Sequence, residues 1–451
     1  MRRHKKKTAK TAMKLWLLAA LTCVFLQGCG KKTQEPDERP DQSGQSDLDT
    51  AETQADSTRS DYLMFAYTNH FWFEAIWPIL EQAYGDRAEF KEYTPDELYG
   101  KLQEAASAAP GGVNDFDIIM ADASWICEFA SKGTLLPLDP LLSGSAVDPA
   151  YDINDIVPAY LDLCKYNGQL YALPLGASTN TLAIRQDLFE LYGMQPPATM
   201  DEMYDAAVYF SEQGLYGAVS RRAAGSDIVY AWLQFLYPFG GQVLDGSGQS
   251  AVNSPEAVRA LEFFCKLVKD AKPAGFPEEN ETDFDAALNS FRLGRAAMYL
   301  DAAVPGAIEN LDLSTVLEKC AYLPFPSEQR QASALSGWMM AIPSNAKYTD
   351  LAFEIIQAVS SKANEEQIVL AGRDPIRVSG FQNPALIEQL PYLPFLEKNL
   401  ETAVSGFQPR VPEWRQIEEA LSQSLTTALE GAKDPQTALD EAHQAIIAIL
   451  P

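Results

Sequence analysis

The sequence predicts an α/β protein with a mainly parallel sheet, and three observations carry that expectation. Short apolar strands alternate with amphipathic helices at lengths that suit β-α-β units. The strands end on polar and aromatic residues rather than on hairpin turns. A length of 451 residues, 47% hydrophobic and 22% charged, is enough for two or three cores and excludes a peptide, a fibre or a disordered tail.

Charge narrows the partners. Thirty-five Lys and Arg stand against 62 Asp and Glu, a formal charge of −27. Seven of the basic residues and none of the acidic ones fall in residues 1–28, so the remainder carries −34. Phosphate backbones repel such a surface, and nucleic acid is not an expected partner.

In chain order, Arg2, Arg3, Lys5, Lys6, Lys7, Lys10 and Lys14 precede the apolar run Leu15 to Leu26, the basic and hydrophobic parts of an export signal. Twelve helical residues span about 18 Å, short of the roughly 30 Å of a hydrocarbon core. Leu26-Gln27-Gly28-Cys29 resembles the bacterial lipobox, which implies cleavage after residue 28 and a diacylglycerol on Cys29. Residues 29–60 are rich in Gln, Asp, Glu, Ser and Thr, and Leu48 is the one large aliphatic among them. They cannot bury enough surface to order themselves and are expected to form a leash roughly 30 Å long. Two acyl chains would hold the body at the membrane.

The folded body is expected from Asp61. Tyr62 to Tyr67 reads as a strand, and Ala75, Ile76, Ile79, Leu80 and Ala83 line one face of a helix over 73–84. Asp117 to Met120 is a second short strand, followed by a helix over 124–132 that Gly133 stops. Ligands of open α/β sheets bind beyond the carboxyl ends of strands, which points to Asn69 to Trp72 and to Asp122 to Trp125. Further on, Thr199 or Asp201 is placed to cap a helix, and Ser254-Pro255-Glu256 supplies an N-cap, a first-turn Pro and an acid.

Several segments occur in an order that resembles a known family. They are Tyr166-Asn167-Gly168-Gln169-Leu170-Tyr171-Ala172-Leu173-Pro174, Asp187-Leu188-Phe189, Phe239-Gly240-Gly241, Asn253-Ser254-Pro255, Gly294-Arg295-Ala296-Ala297-Met298, Ser336-Gly337-Trp338 and Arg410-Val411-Pro412-Glu413-Trp414. The chain from about Asp61 to Leu450 is similar in these to the extracellular solute-binding proteins of ABC importers, in the sugar-binding branch that includes maltose-binding protein. The resemblance implies a two-lobe periplasmic-binding-protein fold of type II with a ligand cleft between the lobes. It implies a first lobe of residues 61–177 plus 306–345 and a second of 178–305 plus 346–451, crossing near Ala177 to Asn180, Asp301 to Gly306 and Asn345.

The function implied is capture of a sugar, oligosaccharide or sugar alcohol and its delivery to permease subunits. The chain contains no Gly-x-x-x-x-Gly-Lys loop, so ATP hydrolysis must come from a partner. Sugars require bidentate polar groups and flat aromatic faces. The candidates are Asn69, Trp72, Asp122, Trp125, Thr179, Asn180, Trp232, Asp301, Trp338 and Arg373. Many relatives carry Gly-x-Trp after the Ala-Met segment, where this chain has Asp301-Ala302-Ala303, a departure that looks more like sugar-alcohol binders.

The alternatives are a secreted carbohydrate hydrolase with a carboxylate pair, or a binding protein for a ligand other than sugar. His70 and His443 are the two histidines of the body and form no metal or hydrolase motif. Asp245 to Glu256 mimics a calcium loop, but Ser250 replaces the required Gly. No metal, cofactor or enzymatic activity is therefore expected. The four body cysteines, Cys127, Cys164, Cys265 and Cys320, read as free thiols, and the expected state is a monomer on the outer face of the cell membrane.

Overall fold

The structure, a computed structural model, describes residues 62–107, 115–144, 147–274, 283–302, 304–309, 313–404 and 406–451. The expected signal segment, Cys29 and the leash lie outside them. Among the described residues nine strands are formed: β1 Leu63–Tyr67, β2 Ala88–Glu92, β3 Ile118–Asp122, β4 Lys165–Tyr166, β5 Gln169–Leu170, β6 Ala172–Arg185, β7 Met298–Ala302, β8 Cys320–Leu323 and β9 Leu335–Ala341.

The main sheet is mixed rather than mainly parallel. β1 pairs in parallel with β2 and β3, but β9 runs antiparallel to both β3 and β6, and β7 and β8 run antiparallel to β6. The reason is that β9 enters the first lobe from the cleft end. It inserts between β3 and β6, which run the same way, and so opposes them. Every residue of the 14-residue β6 is buried, as a strand that belongs to both lobes must be.

The apolar cores divide the chain differently from the expected segments. One core gathers residues between Leu63 and Ala177 and between Leu335 and Leu396. The other gathers Leu182 to Leu300, Phe325 to Ala334 and Phe407 to Ile446, with a satellite that includes Ala307, Ile308 and Val316. By these cores the first crossing falls within β6, and the second lies at Ala334 to Leu335 instead of 301–306. The third lies between Leu396 and Phe407 instead of Asn345. β7 stops at the cleft and the chain turns back through the helix Pro305–Ile308 into its own lobe, which is why residues 306–334 stay there.

The local signals behave as their chemistry dictates. Thr199 closes a capping box with Glu202, Ser254 caps the helix Pro255–Asp270, and Gly133 takes a φ of 69° beyond the helix Ile126–Ser131. The helix after β1 begins at Phe71, two residues early, because the His70 ring accepts from the Trp72 amide as its N-cap. Residues 123–125 form a 3-10 turn capped by Asp122 ahead of the next helix. All four body cysteines are free thiols, Cys127 and Cys164 fully buried. Among the described residues no helix is long and apolar enough to cross a membrane.

Candidate functional site

Strand direction and register build a cleft where β6 passes from lobe to lobe. Asp122, the last residue of β3, lies opposite Trp338 of β9, and Trp338 lies opposite Gly176 of β6. The same end of the sheet carries the loop after β1, with His70, Phe71 and Trp72. Trp338 meets Trp125 edge to face at 5.7 Å and the His70 ring at 6.2 Å, giving the first lobe an aromatic wall.

The second lobe presents the charge. Residues 216–219 run beside β7 through single parallel bridges and end in Ser220-Arg221. The Arg221 guanidinium donates from Nε to both carboxylate oxygens of Asp301 at 2.9 Å, and its backbone N–H also donates to Asp301. It lies between the rings of Tyr230 and Phe284, 4.2 and 4.6 Å from their centroids, with Asp227 at 3.6 Å. Burial opposes its charge, but the Asp301 carboxylate outweighs this and raises its pKa. Phe284 in turn faces the His70 ring at 6.4 Å from the opposite lobe. Burial, with the Arg221 charge adding to it, drives His70 down to about 3, so the ring is neutral. Since Nδ1 accepts from the Trp72 amide, the proton sits on Nε2.

Carboxylates complete the arrangement. Asp122 accepts from the Ser124 amide at 2.8 Å and hydroxyl at 2.6 Å, and burial raises its pKa against these bonds and the Arg221 charge. Glu418, 3% exposed, receives a 3.2 Å hydrogen bond from Arg415, while its Oε1 has no partner among the described residues. Burial lifts it to about 7, and Asp122 and Asp227 push in the same direction. Donors, acceptors and flat rings thus converge from both lobes, as a polyhydroxylated molecule requires.

The candidate residues separate accordingly. Asp122, Trp125 and Trp338 come together at the cleft, and Asn69 is exposed on the adjoining loop. Trp72 is buried against the hinge strand, where a Cβ on Gly176 would lie 2.6 Å from its ring. Asp301 is 0% exposed and acts behind Arg221. Thr179 and Asn180 are consumed by the hinge. Asn399 donates to the Thr179 hydroxyl at 2.7 Å and to the Asn180 carbonyl at 2.9 Å, and the Asn180 side chain accepts from Ala334 N and donates to Gln234. One polar cluster thereby joins all three crossings.

Two candidates lie elsewhere. Trp232 is 0% exposed in the second core, because its helix Ser226–Leu236 is apolar nearly all round. Arg373 is 1% exposed, ion-paired with Glu365 and bonded to the carbonyls of Leu175 and Val359, so it supports the first lobe from inside.

Arg221, Phe284, Arg415 and Glu418 are not among the residues the sequence points to, and His70 falls within the indicated loop 69–72 without being a candidate in its own right. Arg221 carried a usable signal, since it ends the apolar segment Tyr216 to Val219 much as Asp122 ends β3. Nothing local marks Arg415 and Glu418, which sit on an ordinary amphipathic helix, Trp414–Leu429.

A cleft between two α/β lobes spanned by three crossings defines the class, a two-lobed ligand-binding protein of the type II periplasmic kind. The chain belongs to the bacterial extracellular solute-binding protein family, whose profile matches residues 81–366. The mannitol-binding protein of Pseudomonas aeruginosa is 29% identical over 264 residues, which is 57% of this chain and 58% of that protein. A ribitol complex of an ABC transporter solute-binding protein from Agrobacterium radiobacter is similar in structure, with a TM-score of 0.78 and 26% identity over 87% of this chain and 99% of that one. A tagatose-bound solute-binding protein from Thermotoga lettingae gives 0.73 and 25% over 87% and 100%. As a member of this family the chain works outside the cytoplasm.

Proposed function

We propose that this protein captures an uncharged sugar or sugar alcohol in the cleft and hands it to the permease of an ABC importer, without chemical conversion. The observation that carries the reading is the pairing across the cleft of the Trp338 and Trp125 wall with the Arg221 guanidinium held on Asp301. A ring or carbon chain packs its C–H face on the indoles, while hydroxyls accept from Arg221 and donate to Asp122. A ligand that touches both lobes binds the closed state better than the open one, so binding closes the hinge. The ligands of the relatives just described, mannitol, ribitol and tagatose, support small polyols and monosaccharides.

Thermal unfolding in the presence of ribitol, D-mannitol, D-tagatose and maltose tests this. A cognate ligand at 100 times its Kd adds about 2.7 kcal/mol. Trp338→Ala is expected to weaken that binding by roughly fivefold to 160-fold, the equivalent of about 1 to 3 kcal/mol for a lost packing face. No shift with any sugar or polyol, or conversion of the ligand into a product, removes the reading.

The protein further acts as a monomer tethered through diacylated Cys29, a reading supported by the basic and apolar segments before that residue and the polar stretch after it. Mass spectrometry of the mature protein is expected to find a lipid-modified Cys29 at the N-terminus and to lose it in Cys29→Ser. An unmodified N-terminus at any other residue rules the tether out.

A further inference from the structure

The Arg410-Val411-Pro412-Glu413-Trp414 segment has no part in the cleft chemistry above, yet its Arg410 makes four hydrogen bonds from one lobe to the other. Arg410 follows the third crossing. Its Nη1 donates to the carbonyl of Ala123 at 2.9 Å, and its Nη2 donates to those of Leu163 at 2.8 Å, Lys165 at 2.7 Å and Asp162 at 3.4 Å. All four acceptors belong to the first lobe. Leu163 ends the helix Pro158–Leu163, where the negative end of the helix dipole favours a cation. Ala123 opens the 3-10 turn that carries Ser124 and Trp125 and is capped by Asp122.

Four residues on, Trp414 is 1% exposed in the second core. The intervening chain cannot lengthen much. Four steps reach at most about 14 Å, Pro412 has a fixed φ, and Val411 N to Pro409 O and Trp414 N to Val411 O bonds fold the segment on itself. One end is thus buried in the second lobe and the other holds first-lobe carbonyls. The next residue, Arg415, continues the link by lying over the Tyr99 ring of the first lobe at 5.0 Å while bonding Glu418.

We propose that Arg410 is a positioning residue: it fastens the Asp122–Trp125 turn to the second lobe, fixing where the cleft wall stands relative to Glu418 and limiting how far the cleft opens. It does so through a planar guanidinium that reaches carbonyls of two separate elements at once, a geometry that a lysine ammonium cannot reproduce. The inference does not depend on which ligand the cleft takes, and its test uses none.

Amide hydrogen exchange and small-angle scattering are measured on the ligand-free full chain and on Arg410→Ala and Arg410→Lys. The Ser124 amide donates to Asp122 and the Ile126 amide to the Ala123 carbonyl, so both report on the turn. In Arg410→Ala their exchange is expected to rise at least about tenfold, with a larger radius of gyration and unchanged exchange in the second-lobe helix Ser226–Leu236. Arg410→Lys is expected to fall between, and it supplies the same readouts if the alanine variant does not fold. Unchanged exchange at Ser124 and Ile126 overturns the proposal. Equal acceleration in the helix Ser226–Leu236 also overturns it, since that outcome marks a general stabilising role.

Discussion

Arg221→Met is expected to lower both stability and ligand affinity, by the largest margin of any substitution at the cleft. Asp301 is 0% exposed, and three of the hydrogen bonds it accepts come from the Arg221 guanidinium. Methionine fills similar space between Tyr230 and Phe284 but leaves a buried carboxylate without its counter-charge, at a cost of about 3 to 5 kcal/mol. At roughly 2 to 4 °C per kcal/mol, thermal unfolding should show a fall on the order of 10 °C. The double variant Arg221→Met/Asp301→Asn should recover much of the stability and none of the affinity, because the charge penalty is gone while the donor at the cleft is still missing. Equal stability of Arg221→Met and wild type would show that the pair does not hold this corner together.

Gly337→Ala should disrupt the hinge itself. A Cβ at this position would lie 2.3 Å from the Gly176 carbonyl oxygen and 2.7 Å from the Ala177 Cα, both backbone atoms of β6. No side-chain rotation relieves such a contact, so β9 must move away from β6. That movement weakens the pairing of Ser336 with Ser178 and shifts Trp338 relative to Asp122. Overpacking of this kind costs about 1 to 3 kcal/mol or more, and the displaced Trp338 loses affinity as well. Gly100→Ala is the natural control. Gly100 lies inside the helix Pro95–Ser107 with open space at its Cβ, so alanine there should stabilise by roughly 0.5 to 1 kcal/mol. Thermal unfolding of the two variants side by side, with ligand titration of Gly337→Ala, checks both statements. A neutral Gly337→Ala would mean that the two strands are not held at this spacing.

What the sequence determined by itself was local. Hydrophobic periodicity and caps are set by neighbours within a few residues, so the strand at 63–67, the helices opened by Thr199 and Ser254 and the stop at Gly133 were readable, as was the position of Asp122 at the end of a strand. The order of motifs along the chain carried the family and, through it, the two lobes. Tertiary structure decided the rest. Whether a strand turns back or crosses is set by which core its flanking residues join, and the stretches 306–334 and 346–396 were misplaced because both carry the same kinds of apolar side chains. The sheet became mixed for the same reason, since the direction of β9 depends on where the chain re-enters. Asp301 looked like a ligand contact because it follows the apolar segment Ala297 to Leu300 near the expected crossover. Only the fold brings Arg221, 80 residues earlier, between it and the cleft. Thr179 and Asn180 have the chemistry of sugar binders, but Asn399, Gln234 and Ala334 arrive from distant segments and take up their hydrogen bonds. A polar side chain declares its bonding capacity in the sequence, and its partner is chosen by the packing of residues far away along the chain.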